Sequence, residues 1–218
     1  AGLQYVLTRR GPLSLGVNQG GGFVATRPGL SRPNTQLFFS PVSYTKAAPG
    51  KRALMNPDPF SGFLMGAQPT RPTSRGYLEI SSADPNAQPI IHPNYMDTEE
   101  DVRDMLESAR VMERLAAAPS MAKIIERRIS PLPEVASDDE MLDYIRQSAG
   151  TVFHPVSTCR MGPDAGQDVV DNRLRVYGTQ GLRVIDASIF PTVTSGNTNA
   201  PAIMVGEKGA DMVLEDAG

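Results

Sequence analysis

The sequence predicts an α+β fold, and three observations carry the prediction. Through the first 95 residues short apolar runs alternate with turn signals, as in a sheet with many loops. From Thr98 the apolar spacing changes to that of a helix and holds that period up to Pro119. The last third alternates again before one final helix.

Taken in order, Phe23-Val24-Ala25-Thr26, Gln36-Leu37-Phe38-Phe39 and Gly76-Tyr77-Leu78-Glu79-Ile80 are candidate strands. The third leads through the turn Ala83-Asp84-Pro85-Asn86 into an extended Pro89-Ile90-Ile91, which points to antiparallel pairing. Thr98 with Asp101 resembles a capping box, and Val102, Met105, Leu106, Ala109, Met112 and Leu115 then line one helical face. A proline-rich stretch, Ser130 to Pro133, precedes a second capping box at Ser137 and Glu140. That box opens a short helix carrying Leu142, Ile145 and Ala149 on one face and stopping near Gly150. Arg173 to Tyr177 and Leu182 to Ile185 are expected as strands, and Pro201 falls in the first turn of a helix running toward Glu215.

Composition narrows the function classes. The chain has 218 residues, 40% of them hydrophobic, enough for one full-sized domain or two small ones. Lys+Arg 21 against Asp+Glu 24 gives a net charge of -3 with no like-charge run, so a nucleic-acid partner is not expected. The single cysteine, Cys159, forbids an internal disulfide and cannot by itself build a thiolate zinc site, which fits a reducing, cytoplasmic compartment. No apolar stretch approaches the roughly 20 residues of a membrane helix, so membrane association is not indicated. The start, Ala1-Gly2-Leu3-Gln4, lacks both methionine and a signal-peptide pattern and runs into an apolar segment, the expectation for a fragment or processed product.

Two histidines are present. His92 directly precedes Pro93 at a strand-to-loop exit and reads as structural or solvated. His154, in Thr151-Val152-Phe153-His154-Pro155-Val156, is held at an extended corner by Pro155 after a helix ends. On residue chemistry alone a surface role comes first for His154 and catalysis second. A second constellation runs from Val184-Ile185-Asp186-Ala187-Ser188 to Ser195-Gly196-Asn197-Thr198-Asn199-Ala200-Pro201. A strand ending in a carboxylate, then a small-residue loop and a helix, places backbone N–H groups and a positive dipole end where an anion could sit. Asn197 or Asn199 as a plain helix N-cap is the alternative. Gly20-Gly21-Gly22 precedes a strand rather than a helix, which fails the context of a dinucleotide fingerprint and suggests a flexible bend. A Ser188/His154/Asp186 triad lacks the G-x-S-x-G elbow, and a metal site lacks its ligands.

Together, His154-Pro155-Val156-Ser157-Thr158-Cys159-Arg160-Met161-Gly162, Val169-Val170-Asp171, Leu182 to Ser188 and Ser195 to Pro201 resemble the C-terminal signature of glucose-methanol-choline (GMC) oxidoreductases, in wording nearest the choline-dehydrogenase-like members. Arg10-Gly11-Pro12-Leu13, Ser74 to Leu78, Asp84-Pro85 and Pro93-Asn94-Tyr95 resemble that family's substrate-domain segments. The resemblance implies a mixed sheet backed by helices over residues 1–149, a substrate-binding domain, with 150–218 completing an FAD-binding α/β domain. The family's glycine-rich FAD turn has no counterpart here, so the resemblance implies the C-terminal portion of a longer enzyme. Its partners would be a small alcohol and the N-terminal FAD-binding half of the same protein, without which it would bind little FAD and turn nothing over. Ser157 stands where the family usually has glycine.

By the same resemblance His154 is the catalytic histidine and Asn197 the second member of the catalytic pair. Asp186 and Ala187 would lie against the ribityl-pyrophosphate part of FAD, and Asn199 and Ala200, at the helix N-terminus, under the pyrimidine end of the flavin. Ile203, Gly206, Ala210 and Val213 would pack the last helix on the flavin-domain sheet. The expected reaction is FAD-dependent oxidation of an alcohol. The alternatives are a hydroxynitrile lyase on the same scaffold and a non-catalytic, free-standing substrate domain.

Overall fold

The computed structural model describes residues 2–11, 14, 16–45, 56–132 and 135–218, so Ala1, Pro12, Leu13 and Pro133 of the segments quoted above lie outside it. Its chain divides into two units, Ala1–Pro69 with Glu107–Arg128 and Thr70–Leu106 with Ile129–Gly218.

The first unit opens with helix α1 (Gly2–Thr8), where a β-rich start was expected. Leu3, Val6 and Leu7 fall at helical spacing and all three are exposed. Strands β1 (Gly20–Val24) and β2 (Thr35–Ser40) pair antiparallel, with Phe23 opposite Gln36. The glycine run is therefore part of a strand and not a bend. At Gly21 a Cβ would sit 2.3 Å from the Leu37 carbonyl oxygen, so the close approach of the two backbones requires the missing side chain. Tyr44–Thr45 (β3) and Asn56–Pro57 (β4) form a two-residue ladder, and β5 (Leu64–Pro69) completes the sheet in the order β1-β2-β5.

Helix α2 (Glu99–Ala117) gives its second half to this unit. It meets the sheet through polar groups as much as apolar ones. Thr35 Oγ1 and Ser108 Oγ lie 2.7 Å apart in full burial, and Glu107 Oε2 accepts from Thr26 Oγ1 and Arg27 Nη1, each at 2.6 Å. Buried Val111 adds the apolar contribution. A short turn of helix, α3 (Pro119–Ala122), follows.

The second unit begins with the hairpin of β6 (Tyr77–Glu79) and β7 (Ile90–His92), the antiparallel pair expected. His92 ends β7 exposed and stacked on Tyr77 at 4.6 Å between ring centroids, the structural role its position suggested. The Thr98 hydroxyl accepts from Asp101 N, but the Asp101 carboxylate does not return the bond. It accepts instead from Thr73 N (2.7 Å), Thr73 Oγ1 (3.0 Å) and Ser74 N (2.9 Å), so half of the capping box has become a clamp on the segment before β6. Burial pushes the Asp101 carboxyl up, but hydrogen bonds from Ser74 and Thr73 outweigh it and hold the group below its ordinary value. Helix α4 (Asp138–Ser148) has the complete Ser137/Glu140 box and ends at Ala149 with Ile145 buried, as its sequence predicts.

The apolar core of this unit gathers Val170, Leu174, Ile189, Phe190 and Val205. The strands expected at 173–177 and 182–185 shrink to isolated bridges, Val170 with Val176 and Arg175 with Arg183. Left-handed Leu174 (φ 63°), Gly178 (φ 72°) and Gly181 (φ 68°) break the extended run into turns. Helix α5 (Asn199–Ala217) turns Val205 and Gly209 inward, while Ile203, Gly206, Ala210 and Val213 are exposed in this chain. All strands described here are antiparallel, and the chain is α+β.

Three stability measurements follow from these contacts. A Cβ on Gly209 would lie 2.3 Å from Ile185 Cγ2 while one on Gly206 meets nothing within 4 Å. Gly209→Ala is expected to destabilise by about 1–3 kcal/mol and Gly206→Ala to stabilise by about 0.5–1 kcal/mol in urea unfolding. Equal effects of the two would contradict the packing of α5. Ser157, at φ 71°, occupies left-handed space. Ser157→Gly should raise stability by up to about 1 kcal/mol, the left-handed penalty being partly offset by unfolded-state entropy, and a loss would refute this. Asp101→Asn is expected to lower stability by roughly 1.5–3 kcal/mol at neutral pH. Because the folded-state pKa is depressed, the wild-type advantage is complete above the unfolded value of about 4 and disappears as pH falls through the folded one. An advantage that grew on acidification would have the wrong sign.

Candidate active site

His154 is presented by the loop that leaves α4. Phe153 (φ 60°) and Ser157 (φ 71°), both left-handed, bracket His154-Pro155-Val156, so the backbone turns sharply on either side of the imidazole. Val156 packs against the core below it. The loop is then stitched to the segment 187–189, a single turn of 3₁₀-helix, by Cys159 N donating to Ser188 O (3.0 Å) and Met161 N to Ile189 O (2.8 Å). Farther along, Asp168 accepts from Arg160 Nε (2.6 Å) and Asp164 N (3.0 Å). The Asp164 N–H foremost, with Arg160 adding and burial opposing, holds the Asp168 carboxyl below its usual range. This ionic knot keeps the return of the loop closed.

The second half of the site comes from the entry to α5. Thr194 Oγ1 donates to Gly196 O at 3.0 Å and Arg71 Nη1 donates to Ser195 Oγ at 3.1 Å, which fixes the turn before Asn197. Here the two segments meet. Asn197 Nδ2 lies 2.9 Å from His154 Nε2 and Thr198 Oγ1 lies 2.9 Å from His154 Nδ1. Residues 43 and 44 positions away in sequence thus grip both ring nitrogens of one imidazole. His154 and Thr198 are half-buried and Asn197 is exposed.

The helix N-cap is Thr198, neither Asn197 nor Asn199, and its side chain makes no capping bond. Asn199 and Ala200 are the first two helical residues, both exposed. Asp186 caps the 187–189 turn, its Oδ1 accepting from Ser188 N at 2.7 Å, and Ala187 packs against the core. These two join the His154 loop through the backbone bonds of Ser188 and Ile189. With Asn197 and Thr198 on its two nitrogens, His154 does not take Ser188 as a partner, and the hydrolase triad has no support. Among the described residues no group of three or more His, Cys, Asp or Glu could hold a metal ion, and no helix is long and apolar enough to cross a membrane. Thr198 is the residue sequence reasoning missed. A threonine before a helix reads as a cap, and nothing local reveals that its hydroxyl faces an imidazole.

Such an arrangement can accept a proton at a neutral imidazole and orient an oxygen with an amide. Residues 72–206 match the family model described as GMC oxidoreductase. The chain is 41% identical over 210 residues to the alcohol dehydrogenase (acceptor) of Pseudomonas putida, covering 96% of this chain and 37% of that enzyme. It is 35% identical to the mitochondrial choline dehydrogenase of Mus musculus, covering 97% of this chain and 35% of that one. Among solved structures, the formate oxidase of Aspergillus oryzae RIB40 superposes with a TM-score of 0.85 at 25% identity, over 98% of this chain and 41% of that chain. The chain therefore spans a little over a third of the length of these curated relatives. Matched by the family model over most of its length, the chain belongs to the GMC oxidoreductases, a family of FAD-dependent enzymes.

Proposed function

We propose that this chain is the chemistry-bearing C-terminal portion of an FAD-dependent alcohol oxidoreductase, with His154 as the proton acceptor and Asn197 as its partner. The observation that carries the reading is the 2.9 Å contact between His154 Nε2 and Asn197 Nδ2, made by two segments that both fall within the family match. In this reading residues 1–149 serve substrate binding, 150–218 complete the flavin domain, and the N-terminal FAD-binding half of the same protein is the partner.

The residues at the start of α5 fit a flavin. Thr198 leaves the first turn uncapped by its side chain, the turn has no acidic residue, and Pro201 removes one donor, so the N–H groups of Asn199 and Ala200 remain at a positive helix end. Small, exposed side chains there allow close approach of a planar group. Asn199 and Ala200 would hold the pyrimidine end, where a helix N-terminus favours negative charge, and Asp186 and Ala187 the ribityl-pyrophosphate part. Bound FAD supplies the acceptor for the hydride that leaves the carbinol carbon.

The chain's own residues handle the other product of that bond change, the hydroxyl proton. On substrate entry the alcohol O–H donates to His154 Nε2 in place of the Asn197 amide, and Asn197 Nδ2 turns its donor to the same oxygen. Nε2 takes the proton as the carbon–oxygen bond becomes a carbonyl. Asn197 fixes the oxygen and cannot act as a base. Pro155 and the left-handed residues on each side limit the swing of the imidazole, which preserves the geometry through the transfer.

The test is anaerobic mixing of the full-length, FAD-loaded protein with a primary alcohol, followed by flavin absorbance. His154→Ala is expected to slow bleaching by about 10²–10⁴-fold and Asn197→Ala by about 10²-fold. The 218-residue chain alone should purify colourless and inactive. Bleaching by His154→Ala at the wild-type rate, or turnover in which the flavin stays oxidised, would sink the proposal.

A further inference from the structure

Thr198 occupies the residue before α5, yet its hydroxyl makes no bond to the helix it caps. An N-cap threonine ordinarily accepts from a first-turn N–H, and here that acceptor is spent elsewhere. Its Oγ1 lies 2.9 Å from His154 Nδ1, and both residues are half-buried. On the other side of the ring the Asn197 amide nitrogen faces Nε2 at 2.9 Å. An amide nitrogen can only donate, so Nε2 accepts. In a neutral imidazole the proton then sits on Nδ1, and Nδ1–H donates to Thr198 Oγ1. The two contacts, from adjacent residues, select the same tautomer.

We propose that Thr198 is a positioning residue that, by accepting from Nδ1–H, holds His154 in the tautomer whose Nε2 lone pair faces Asn197. This rests on the reading of His154 as proton acceptor. With the proton on Nε2 instead, the nitrogen facing the substrate would be a donor and could receive nothing. When Nε2 takes the substrate proton the ring becomes cationic and the Nδ1–H to Oγ1 bond strengthens, which favours the charged product.

The experiment labels histidines with 15N in the full-length, FAD-loaded protein and identifies the His154 ring signals by their loss in His154→Gln. In the wild type Nε2 is expected to have the shift of an unprotonated nitrogen and Nδ1 that of a protonated one. Thr198→Val should move His154 toward the Nε2-protonated tautomer with the thermal midpoint nearly unchanged, since no helix cap is lost. It should lower kcat about 10–100-fold with little change in KM, and Thr198→Ser should recover kcat to within about threefold. A protonated Nε2 in the wild type, or a tautomer that Thr198→Val leaves untouched, overturns the role of Thr198. The nitrogen shifts are read without turnover. If His154→Gln oxidises alcohol normally while Thr198→Val still shifts the tautomer, it is the catalytic reading that fails and not the positioning one.

Discussion

The candidate site rests on one imidazole being held from both sides. His154 Nε2 and Nδ1 meet Asn197 and Thr198, and the rest of the second unit arranges for those two consecutive residues to arrive opposite a histidine 43 residues upstream. Neither segment is a regular element at that point. The His154 loop is fixed by two left-handed residues and by backbone bonds to Ser188 and Ile189, and the Asn197 turn by hydroxyl bonds and the start of α5. The site is a meeting of loops over the small core of Val170, Leu174, Ile189, Phe190 and Val205, which limits its drift.

The polar architecture around that core serves the same end. Asp168 closes the return of the His154 loop with Arg160 and the Asp164 N–H, and Asp171 accepts from Arg173 N and Arg175 N beside the bridges that replace the expected strands. Arg173 and Arg183 both reach Asp216 at the far end of α5. Side-chain bonds from Arg183 and Arg173 keep the Asp216 carboxyl below its ordinary range. The more exposed of these ion pairs, those of Arg173 with Glu215 and Asp216, are individually weak. Acting together, the bonds of Arg173 and Arg183 tie the C-terminal end of α5 to the 173–183 segment, and the close contact of Gly209 and Ile185 fixes the helix nearer its middle.

Much of the fold was legible where the signal is local. The Ser137/Glu140 box, the β6–β7 hairpin and the long helix after Thr98 depend on neighbours in sequence, and each occurs where its residues place it. What was not legible depends on partners far away. Leu64–Pro69 contains Gly66, Ala67, Gln68 and Pro69 and has no strand pattern of its own, so its extended state comes from pairing with β2. Gly20–Gly22 read as a flexible bend once the dinucleotide context failed, whereas the run is strand and the approach of Leu37 O demands glycine at Gly21. For the site, His154 and Asn197 became legible through the family wording and not through residue chemistry, which left both with bland alternatives. Thr198 stayed hidden because a cap and an imidazole partner have the same sequence signature.

The central claim is that His154 and Asn197 share one substrate oxygen. A crystal structure of the full-length, FAD-loaded protein with a non-oxidisable alcohol analogue measures this directly. The account predicts the analogue oxygen at about 2.6–3.2 Å from both His154 Nε2 and the Asn197 amide nitrogen, with the direct bond between the two side chains opened to admit it. An analogue oxygen held by other groups, with the His154–Asn197 bond intact, would contradict it.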